Sequence, residues 1–376
     1  MYINCLTVLL WLRTVSSSGV FTHTEVAHRA LLNYDSDQFG AGTVRSILLR
    51  RQAAFQAGAA FPDSFYNPLC GGEQYNDVAE DMHWTPWMKV AFAYFRRTYP
   101  EPFLGNAAAE KLLAFLLGMA SHQTADVSWH ALGGLSDGFM NAIADLDFGD
   151  SYDDAHTHMD VGGDVVGSHA WQALYAFQWF VPSSDVFNIV VEYNGGDSLG
   201  LRPLDLELCA GWLFALRKIE KSRLAGAIYP WFRDPSVNFI NEFEGYFLGG
   251  MADMAVWTQI VWDRYLIMLR NGSCSDEESP MSITCNSTAS SLTSPCVLLS
   301  DLDPPLDRAY FARMKRDYFA KYANEMGEET VKFRNDDGGV WISLPEDVNS
   351  RQRVVKIVHK SSKLVVLTPK KLLLFV

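Results

Sequence analysis

A helical pattern over residues 107–132 constrains the fold of this chain more than any other feature. The segment is rich in Ala and Leu, contains no proline and ends before a Gly-Gly pair, as a helix stop does. Within it, His122, Asp126 and His130 recur every four residues. At about 100° per residue, these side chains span an arc of about 80° on one helix face. Two imidazoles and a carboxylate projecting into the same space suit Zn²⁺, so the pattern predicts metal ligation.

The patterns in the rest of the first 270 residues also predict helices. Thr22-His23-Thr24-Glu25 has the S/T-x-x-E form of a capping box, which would place His23 in the first turn of a helix. Further helical patterns cover about residues 165–180, 205–227, 236–247 and 250–270. Alternating strand patterns are scarce there, and no repeat of 20–50 residues is present. The sequence therefore predicts an all-α, multi-helix fold.

A second pair of candidate ligands has the same four-residue spacing. Eight of the nine histidines lie before residue 170, which confines the search to that part of the chain. His156 and Asp160 would share one helix face, and Asp164 follows four residues later. His158 would point about 200° away from His156, so both cannot face one ion. The pair by itself is equally compatible with a capped surface turn.

Three more candidates come from separate stretches. Asp63 lies in the loop-like segment FPDSFYNP, His83 is followed by two nearby tryptophans, and His23 lies in the predicted first turn. Tryptophans beside a ligand can wall a dry pocket, although they more often belong to the core. His28 would point about 140° away from His23 and is expected to be structural. The whole set exceeds the needs of one tetrahedral zinc, which predicts either a multinuclear cluster or a ligand set with additional orienting residues.

Multinuclear zinc in a water-accessible cleft suits phosphodiester hydrolysis. Zinc lowers the pKa of bound water from about 15.7 to about 7, and paired ions stabilise the attacking and leaving oxygens. The competing P-loop motif is absent. The formal net charge of −13, from 31 basic and 44 acidic residues, argues against gripping nucleic acid through its phosphates. Lipids, small phosphodiesters and cations are therefore the expected ligands.

Residues 1–18 resemble a secretory signal peptide. An apolar run at residues 5–12 is followed by small residues, which predicts cleavage near Ser17 or Ser18. The first four residues carry no Lys or Arg, so a buried N-terminal strand or helix is the alternative. Two glycosylation sequons begin at Asn271 and Asn286 and favour a secreted, extracellular protein. After cleavage five cysteines remain, whose pairing the sequence leaves open: Cys70, Cys209, Cys274, Cys285 and Cys296.

The C-terminal residues differ in composition from the rest. Residues 351–376 carry seven Lys or Arg and no acidic residue, and their Val/Leu runs predict a strand or an unpaired apolar tail. After the N-terminal segment no run of 18 apolar residues occurs, so no transmembrane helix is expected.

Six segments, in this order, resemble the catalytic domain of the glycosylphosphatidylinositol-specific phospholipases D: THTEVAHRALL, FQAGAAFPDSFYNP, HWTPW, FLLGMASHQTADVSWHALG, AHTHMDVGGDV and EGYFLGGMADMAVW. The similarity covers about residues 19–345. More distantly, the pattern is similar to the superfamily of zinc-dependent bacterial phospholipases C and single-strand nucleases. This resemblance implies an all-α bundle like that of the zinc-dependent phospholipases C, with up to three zinc ions.

The resemblance also implies an activity and partners. It implies a secreted phosphodiesterase that cleaves the inositol–phosphate bond of the anchors of glycosylphosphatidylinositol-anchored proteins in membrane lipid and leaves phosphatidic acid. It implies lipoprotein particles as further partners, and no nucleic acid is expected. Two alternatives stay open: a zinc phospholipase or single-strand nuclease with another phosphodiester substrate, and a non-catalytic relative that binds metal or lipid.

Carried over onto this sequence, the resemblance implies eight metal ligands: His23, Asp63, His83, His122, Asp126, His130, His156 and Asp160. His83 would share an ion with Asp63, and His122 and Asp126 would form a bridging pair. Asp63 is also the candidate catalytic residue, because it would orient or deprotonate the attacking water.

Three features depart from the family pattern. The bacterial enzymes bind zinc through an N-terminal Trp, whereas this chain is expected to start at Ser18 or Gly19 after cleavage. The spacing from Asp126 to His130 is shorter than in the bacterial lipases. The family enzymes continue into a Ca²⁺-binding β-propeller, whereas here an atypical basic and apolar tail is expected at residues 346–376. We therefore expect a shortened form that lacks the propeller and its Ca²⁺.

Overall fold

The computed structural model describes two parts of the chain. The first comprises residues 19–32, 34, 39–40, 42–66, 70–130, 139–170, 178–220, 223–246 and 249–271. The second consists of five strands between residues 332 and 375. The predicted signal peptide, the sequon at Asn286 and the cysteines at positions 274, 285 and 296 lie outside the described residues.

Thirteen α-helices make up the first described part: α1 (Val20–Leu32), α2 (Thr43–Arg50), α3 (Gln52–Ala60), α4 (Asn76–Met82), α5 (Thr85–Thr98), α6 (Ala107–Trp129), α7 (Phe139–Asp147), α8 (Tyr152–Ala170), α9 (Ser183–Tyr193), α10 (Pro203–Glu220), α11 (Arg223–Arg233), α12 (Val237–Glu242) and α13 (Met251–Asn271). Two 3-10 helices, Pro62–Phe65 and Gly72–Tyr75, follow α3. The predicted all-α class is confirmed for this part, although the single pattern at 205–227 corresponds to two helices, α10 and α11.

The helix predicted from the 107–132 pattern is α6, and it lies at the centre of the bundle. Asn106 caps its start, since the side-chain oxygen accepts hydrogen bonds from the amides of Ala108 and Ala109. α6 packs against α1, α3 and α13. It contacts α3 through Gly118 on α6 and Gly58 on α3. A Cβ at Gly118 would lie only 2.8 Å from the amide nitrogen of Ala59. The absence of these side chains lets the two backbones meet.

The first helix begins differently from the prediction. α1 starts at Val20, and the expected capping box at Thr22 and Glu25 does not form. Instead, Asp164 of α8 accepts hydrogen bonds from the amides of Phe21 and Thr22 at 2.9 and 3.0 Å. Glu25 pairs with Arg29 one turn later. A carboxylate 142 residues away therefore satisfies the helix terminus in place of the local motif.

A disulfide bond joins the two cysteines that lie in the helical part. Cys70, between the two 3-10 helices, bonds Cys209 of α10 with the Cα atoms 5.2 Å apart. This bond holds α10 beside the segment that carries Asp63. Among the described residues, no helix has the length and apolar character needed to cross a bilayer.

The second described part contains five short strands: β1 (Lys332–Asp336), β2 (Gly339–Ser343), β3 (Val355–Val358), β4 (Leu364–Leu367) and β5 (Leu372–Phe375). β2 pairs antiparallel with β1 and β5, and β3 pairs antiparallel with β4. The Val/Leu runs of the tail are thus strands, which was one of the two predicted alternatives. The pairing of β2 with β5 joins residues on either side of the predicted boundary at 345–346.

Candidate metal centre

Five of the predicted ligands converge in what we call the first cluster. It consists of His23 of α1, Asp63 of the first 3-10 helix, His83 after α4, and His122 and Asp126 of α6. Apart from His83, these residues are buried, with donor atoms within 4.8 Å of one another. Four separate segments therefore bring imidazoles and carboxylates to one point.

Short distances connect the histidines of the first cluster to its two carboxylates. The Nε2 atom of His23 lies 3.4 Å from an oxygen of Asp63 and 3.4 Å from an oxygen of Asp126. The corresponding distances from Nε2 of His83 are 3.4 and 3.2 Å. Those from Nε2 of His122 are 3.6 and 3.3 Å. Each carboxylate thus faces three imidazoles through the same ring nitrogen.

Hydrogen bonds decide which nitrogen of His83 and His122 faces the cluster. Nδ1 of His83 lies 2.7 Å from the carbonyl oxygen of Ala79, and Nδ1 of His122 lies 3.0 Å from that of Ala59. Because a carbonyl only accepts, both Nδ1 atoms are donors, and in the neutral rings both Nε2 atoms carry lone pairs. These two Nε2 atoms lie 3.0 Å apart. Facing lone pairs at this separation require a proton or a cation between them.

Asp63 provides a second sign of a cation site. Both of its carboxylate oxygens are buried, and neither accepts a hydrogen bond within the described part of the chain. A buried carboxylate in that condition is costly unless a positive charge compensates it. Imidazole and carboxylate ligands are those that zinc accepts, so the residues present fit this metal.

Burial and mutual charge shift the pKa values of the first cluster. Burial, followed by the nearby His122, lowers the pKa of His23 to about 3. Burial raises the pKa of Asp126, but His122 and His23 outweigh it and hold that pKa well below the usual range. Burial lowers the pKa of His83, but the adjacent carboxylates of Asp126 and Asp63 outweigh it and raise that pKa well above the usual value. The metal-free cluster therefore carries a proton on His83, which a divalent cation would displace.

The other three predicted ligands form the second cluster, which consists of His130, His156 and Asp160, with donor atoms within 4.8 Å of one another. Nε2 of His156 lies 3.1 Å from an oxygen of Asp160. Trp129 donates from Nε1 to the other oxygen of Asp160 at 3.1 Å. Burial raises the pKa of Asp160 well above its usual value, and burial lowers the pKa of His130 to about 4. This cluster favours neutral side chains until a cation is present.

His130 lies at the point where α6 ends. α6 ends at Trp129, so His130 lies at the helix terminus rather than on the continued helix face. Its ring lies 4.9 Å from that of His156, and its Nε2 lies 3.7 Å from Asp126. Asp126 thus lies between the two clusters, while His122 and His130 belong to different ones.

The residues around His83 form an aromatic rim. The ring of Tyr66 lies 5.7 Å from that of His83, and its hydroxyl donates to Glu80 at 3.0 Å. Trp84 is partly buried and donates from Nε1 to the same carboxylate at 2.8 Å. Trp87 is fully buried in the core. Of the two tryptophans after His83, one therefore borders the site and the other has a packing role.

Two histidines of the helical part lie outside both clusters, and the roles of two other residues were not predicted from the sequence. His158 donates from Nε2 to the carbonyl of Phe232 at 2.9 Å and, as predicted, does not face the ion site of His156. His28 belongs to neither cluster. The roles of Trp129 and Asp164 were missed, because each acts on a residue more than 30 positions away. Trp129 directly precedes His130, which was the one local signal.

Comparisons with known proteins agree with this geometry. The sequence matches the zinc dependent phospholipase C family over residues 22–187, a segment that contains all eight candidate ligands. It is 37% identical over 273 residues to the phosphatidylinositol-glycan-specific phospholipase D of Bos taurus, which covers 72% of this chain and 32% of that protein.

Relatives of the same name show similar values. The human protein is 36% identical over 72% of this chain and 32% of its own length, and the Dictyostelium discoideum protein is 32% identical over 70% and 26%. The chain thus spans about a third or less of the length of these curated relatives. No solved structure matches it significantly.

Proposed function

Residues 22–187 belong to the zinc dependent phospholipase C family, and from this premise we propose that the chain is a secreted, zinc-dependent phosphodiesterase that cleaves glycosylphosphatidylinositol anchors. The resemblance drawn from the six sequence segments is confirmed by relatives that are 32–37% identical. Their name supports the substrate, although this chain matches only a third of their length. The observation that carries the proposal is the pair of facing Nε2 atoms beside the buried carboxylate of Asp63, whose oxygens accept no hydrogen bond among the described residues.

The two clusters provide the proposed metal ligands. The first cluster offers five donor groups and the second three, so we propose more than one zinc ion and at most three. Bound zinc would lower the pKa of water and neutralise charge on the phosphate oxygens. Asp126 lies against both clusters, so its carboxylate would help to hold metal in each of them.

The charges around Asp63 determine which role its carboxylate can have in the reaction. Burial raises the pKa of Asp63, but His122, His83 and His23 outweigh it and lower that pKa overall. A carboxylate with a lowered pKa is a weak base, so Asp63 is better suited to orient the attacking water than to deprotonate it. Water would add to phosphorus while the phosphorus–inositol oxygen bond breaks. The products would be phosphatidic acid and the inositol-containing glycan.

The disulfide supports secretion as part of the proposal. Disulfides such as Cys70–Cys209 form and persist in oxidising compartments. Glycosylphosphatidylinositol-anchored proteins in the outer leaflet would then be accessible substrates. The sequon at Asn271 begins at the last residue of α13, and its modification remains a prediction.

The test is release of an anchored reporter by the purified protein, with and without a chelator. We expect release that stops on chelation and returns with zinc, with phosphatidic acid as the lipid product. Diacylglycerol as the lipid product would instead show that the bond between glycerol and phosphate is cleaved. Release that ignores the chelator would refute the metal mechanism, and cleavage of free phospholipid alone would refute the anchor substrate.

A matched pair of variants tests whether the first cluster is needed for zinc binding and for release of the reporter. His122→Ala removes a ligand of the first cluster and should abolish both zinc binding and release. His158→Gln removes a histidine of α8 outside both clusters and keeps a donor for the Phe232 carbonyl, so it should retain both. Equal behaviour of the two variants would remove the first cluster from the mechanism.

A further inference from the structure

Helix α10 presents an apolar stripe to solvent. Leu204, Leu208 and Trp212 are 54%, 53% and 44% exposed. They are spaced by four residues, so they follow one another along a single face of the helix. Gly211 lies on the same side and is exposed, and nothing lies within 4 Å of the position that a Cβ would take there. We call these three large side chains the α10 stripe.

The opposite face of α10 packs directly behind the first cluster. Leu213 is buried in a small apolar group with Val20 and Ala60. Val20 precedes His23 by three residues on α1, and Ala60 precedes Asp63 by three residues. A helix with its side chains is about 10–12 Å across, so the α10 stripe and the cluster are separated by at least that width. The disulfide at Cys209 fixes this arrangement.

The charges around the stripe do not oppose a lipid surface. The two acidic residues near its start are engaged, because Asp205 pairs with Arg202 and Glu207 accepts a hydrogen bond from Ser183. Lys218, which follows the stripe, is an exposed cation, and Arg202 before it is paired with Asp205. Leu and Trp on one face with cations at the edges are typical of helices that lie in a membrane interface. The formal net charge of −13 disfavours an anionic membrane.

We propose that the α10 stripe docks the protein onto the surface of a zwitterionic phospholipid bilayer. This inference rests on the proposed function, since it names the surface from which a lipid-anchored phosphodiester is taken. An interfacial helix inserts its apolar face about 5–10 Å into the headgroup region. The first cluster, on the other side of α10 from that face, would then lie above the headgroup region.

The test compares two sets of substitutions in the full chain. Leu204→Gln, Leu208→Gln and Trp212→Gln together remove the stripe. Leu49→Gln and Leu104→Gln together form the control, because these leucines are 50% and 46% exposed but lie near the end of α3 opposite to Asp63. Binding is measured by co-sedimentation with phosphatidylcholine vesicles that contain no anchored substrate. Hydrolysis is measured on a water-soluble phosphodiester and on an anchored reporter in vesicles.

We expect the stripe variant to lose at least about tenfold in vesicle partitioning and in cleavage of the anchored reporter. Its hydrolysis of the soluble substrate should be unchanged, and the control variant should match the parent in all three assays. Phosphatidylserine-rich vesicles should bind the parent less well than phosphatidylcholine vesicles do. Each variant is first required to keep the parent's thermal unfolding temperature.

Three results would overturn the inference. The first is vesicle binding by the stripe variant equal to that of the parent. The second is a parent dimer in light scattering that the stripe variant converts to a monomer, because a second copy would then cover the stripe. The third is a loss of binding in the control variant as large as that in the stripe variant. Vesicle binding as expected, without hydrolysis of any substrate, would refute the proposed function and leave the docking surface intact.

Discussion

Replacing Gly118 by alanine should both destabilise the bundle and weaken metal binding. Gly118 of α6 lies against α3, where a Cβ would come within 2.8 Å of the amide nitrogen of Ala59 and closer still to the carbonyl of Phe55. Gly58 makes the reciprocal contact with the carbonyl of Phe115. All these atoms belong to the backbone, so no change of rotamer can relieve the overlap.

The size of the effect follows from these contacts. Ordinary Cβ contacts begin at 3.4 Å, so the contact with Ala59 alone requires the helices to separate by 0.6 Å. Overpacking of a core costs about 1–3 kcal/mol, and with backbone on both sides we expect about 3 kcal/mol. The carbonyl of Ala59 also accepts the hydrogen bond from Nδ1 of His122 at 3.0 Å. Disturbing that orienting bond should lower zinc affinity by about 10–100-fold.

Urea unfolding and zinc titration check both parts of this prediction. The matched control is Gly211→Ala on α10, where nothing lies within 4 Å of the added Cβ. That substitution should stabilise the protein by about 0.5–1 kcal/mol, because alanine favours a helix. A Gly118→Ala variant as stable as Gly211→Ala, with the parent's zinc affinity, would refute the argument that this crossing positions His122.

Three further predictions concern other features of the structure. Trp129→Phe should lower zinc affinity at the second cluster by about tenfold, because Asp160 loses its hydrogen-bond donor; unchanged affinity in a calorimetric titration would show that Trp129 only packs. The metal-free protein should lose stability as the pH falls from about 6.5 towards 4, since the unfolded chain takes up protons at His23 and His130, whose pKa values in the fold are only about 3 and 4. Asp160, whose pKa is raised in the fold, binds a proton there and offsets part of this loss, but it is one group against two. His83, whose pKa is raised, is protonated in both states below pH 6.5 and does not change this slope; a flat free energy of unfolding over that range in the presence of chelator would contradict the prediction. Replacing Cys70 and Cys209 by serine should lower the free energy of unfolding by about 5 kcal/mol through loop entropy, and a variant as stable as the oxidised parent in urea would contradict it.

Local spacing predicted the parts of the site that one helix determines. The pairs His122–Asp126 and His156–Asp160 lie on single helices, and their four-residue spacing brings each pair together. The same rule placed His130 beside Asp126, at 3.7 Å, but it does not specify where a helix ends. α6 ends at Trp129, one residue before His130, and the ring of His130 lies beside that of His156 on α8.

The contacts between helices could not be predicted from spacing. Asp63 and His83 were candidates from their sequence context, but only the resemblance placed them on a shared ion, since their approach to α6 depends on how closely α3 and α6 cross. The capping-box prediction failed because Asp164, far away in sequence, competes for the same amide groups. Such contacts depend on the packing of whole helices, which a local pattern does not encode.

The Cys70–Cys209 bond has a consequence for the chain as a polymer. It closes a covalent ring over a sequence separation of 139 residues, and six of the eight candidate ligands lie inside that ring. The exposed turn at Gly195-Gly196 between α9 and α10 is also inside it. A protease that cuts this turn would open the ring without releasing either fragment. The nicked protein would migrate as one species until a reductant separated its two pieces.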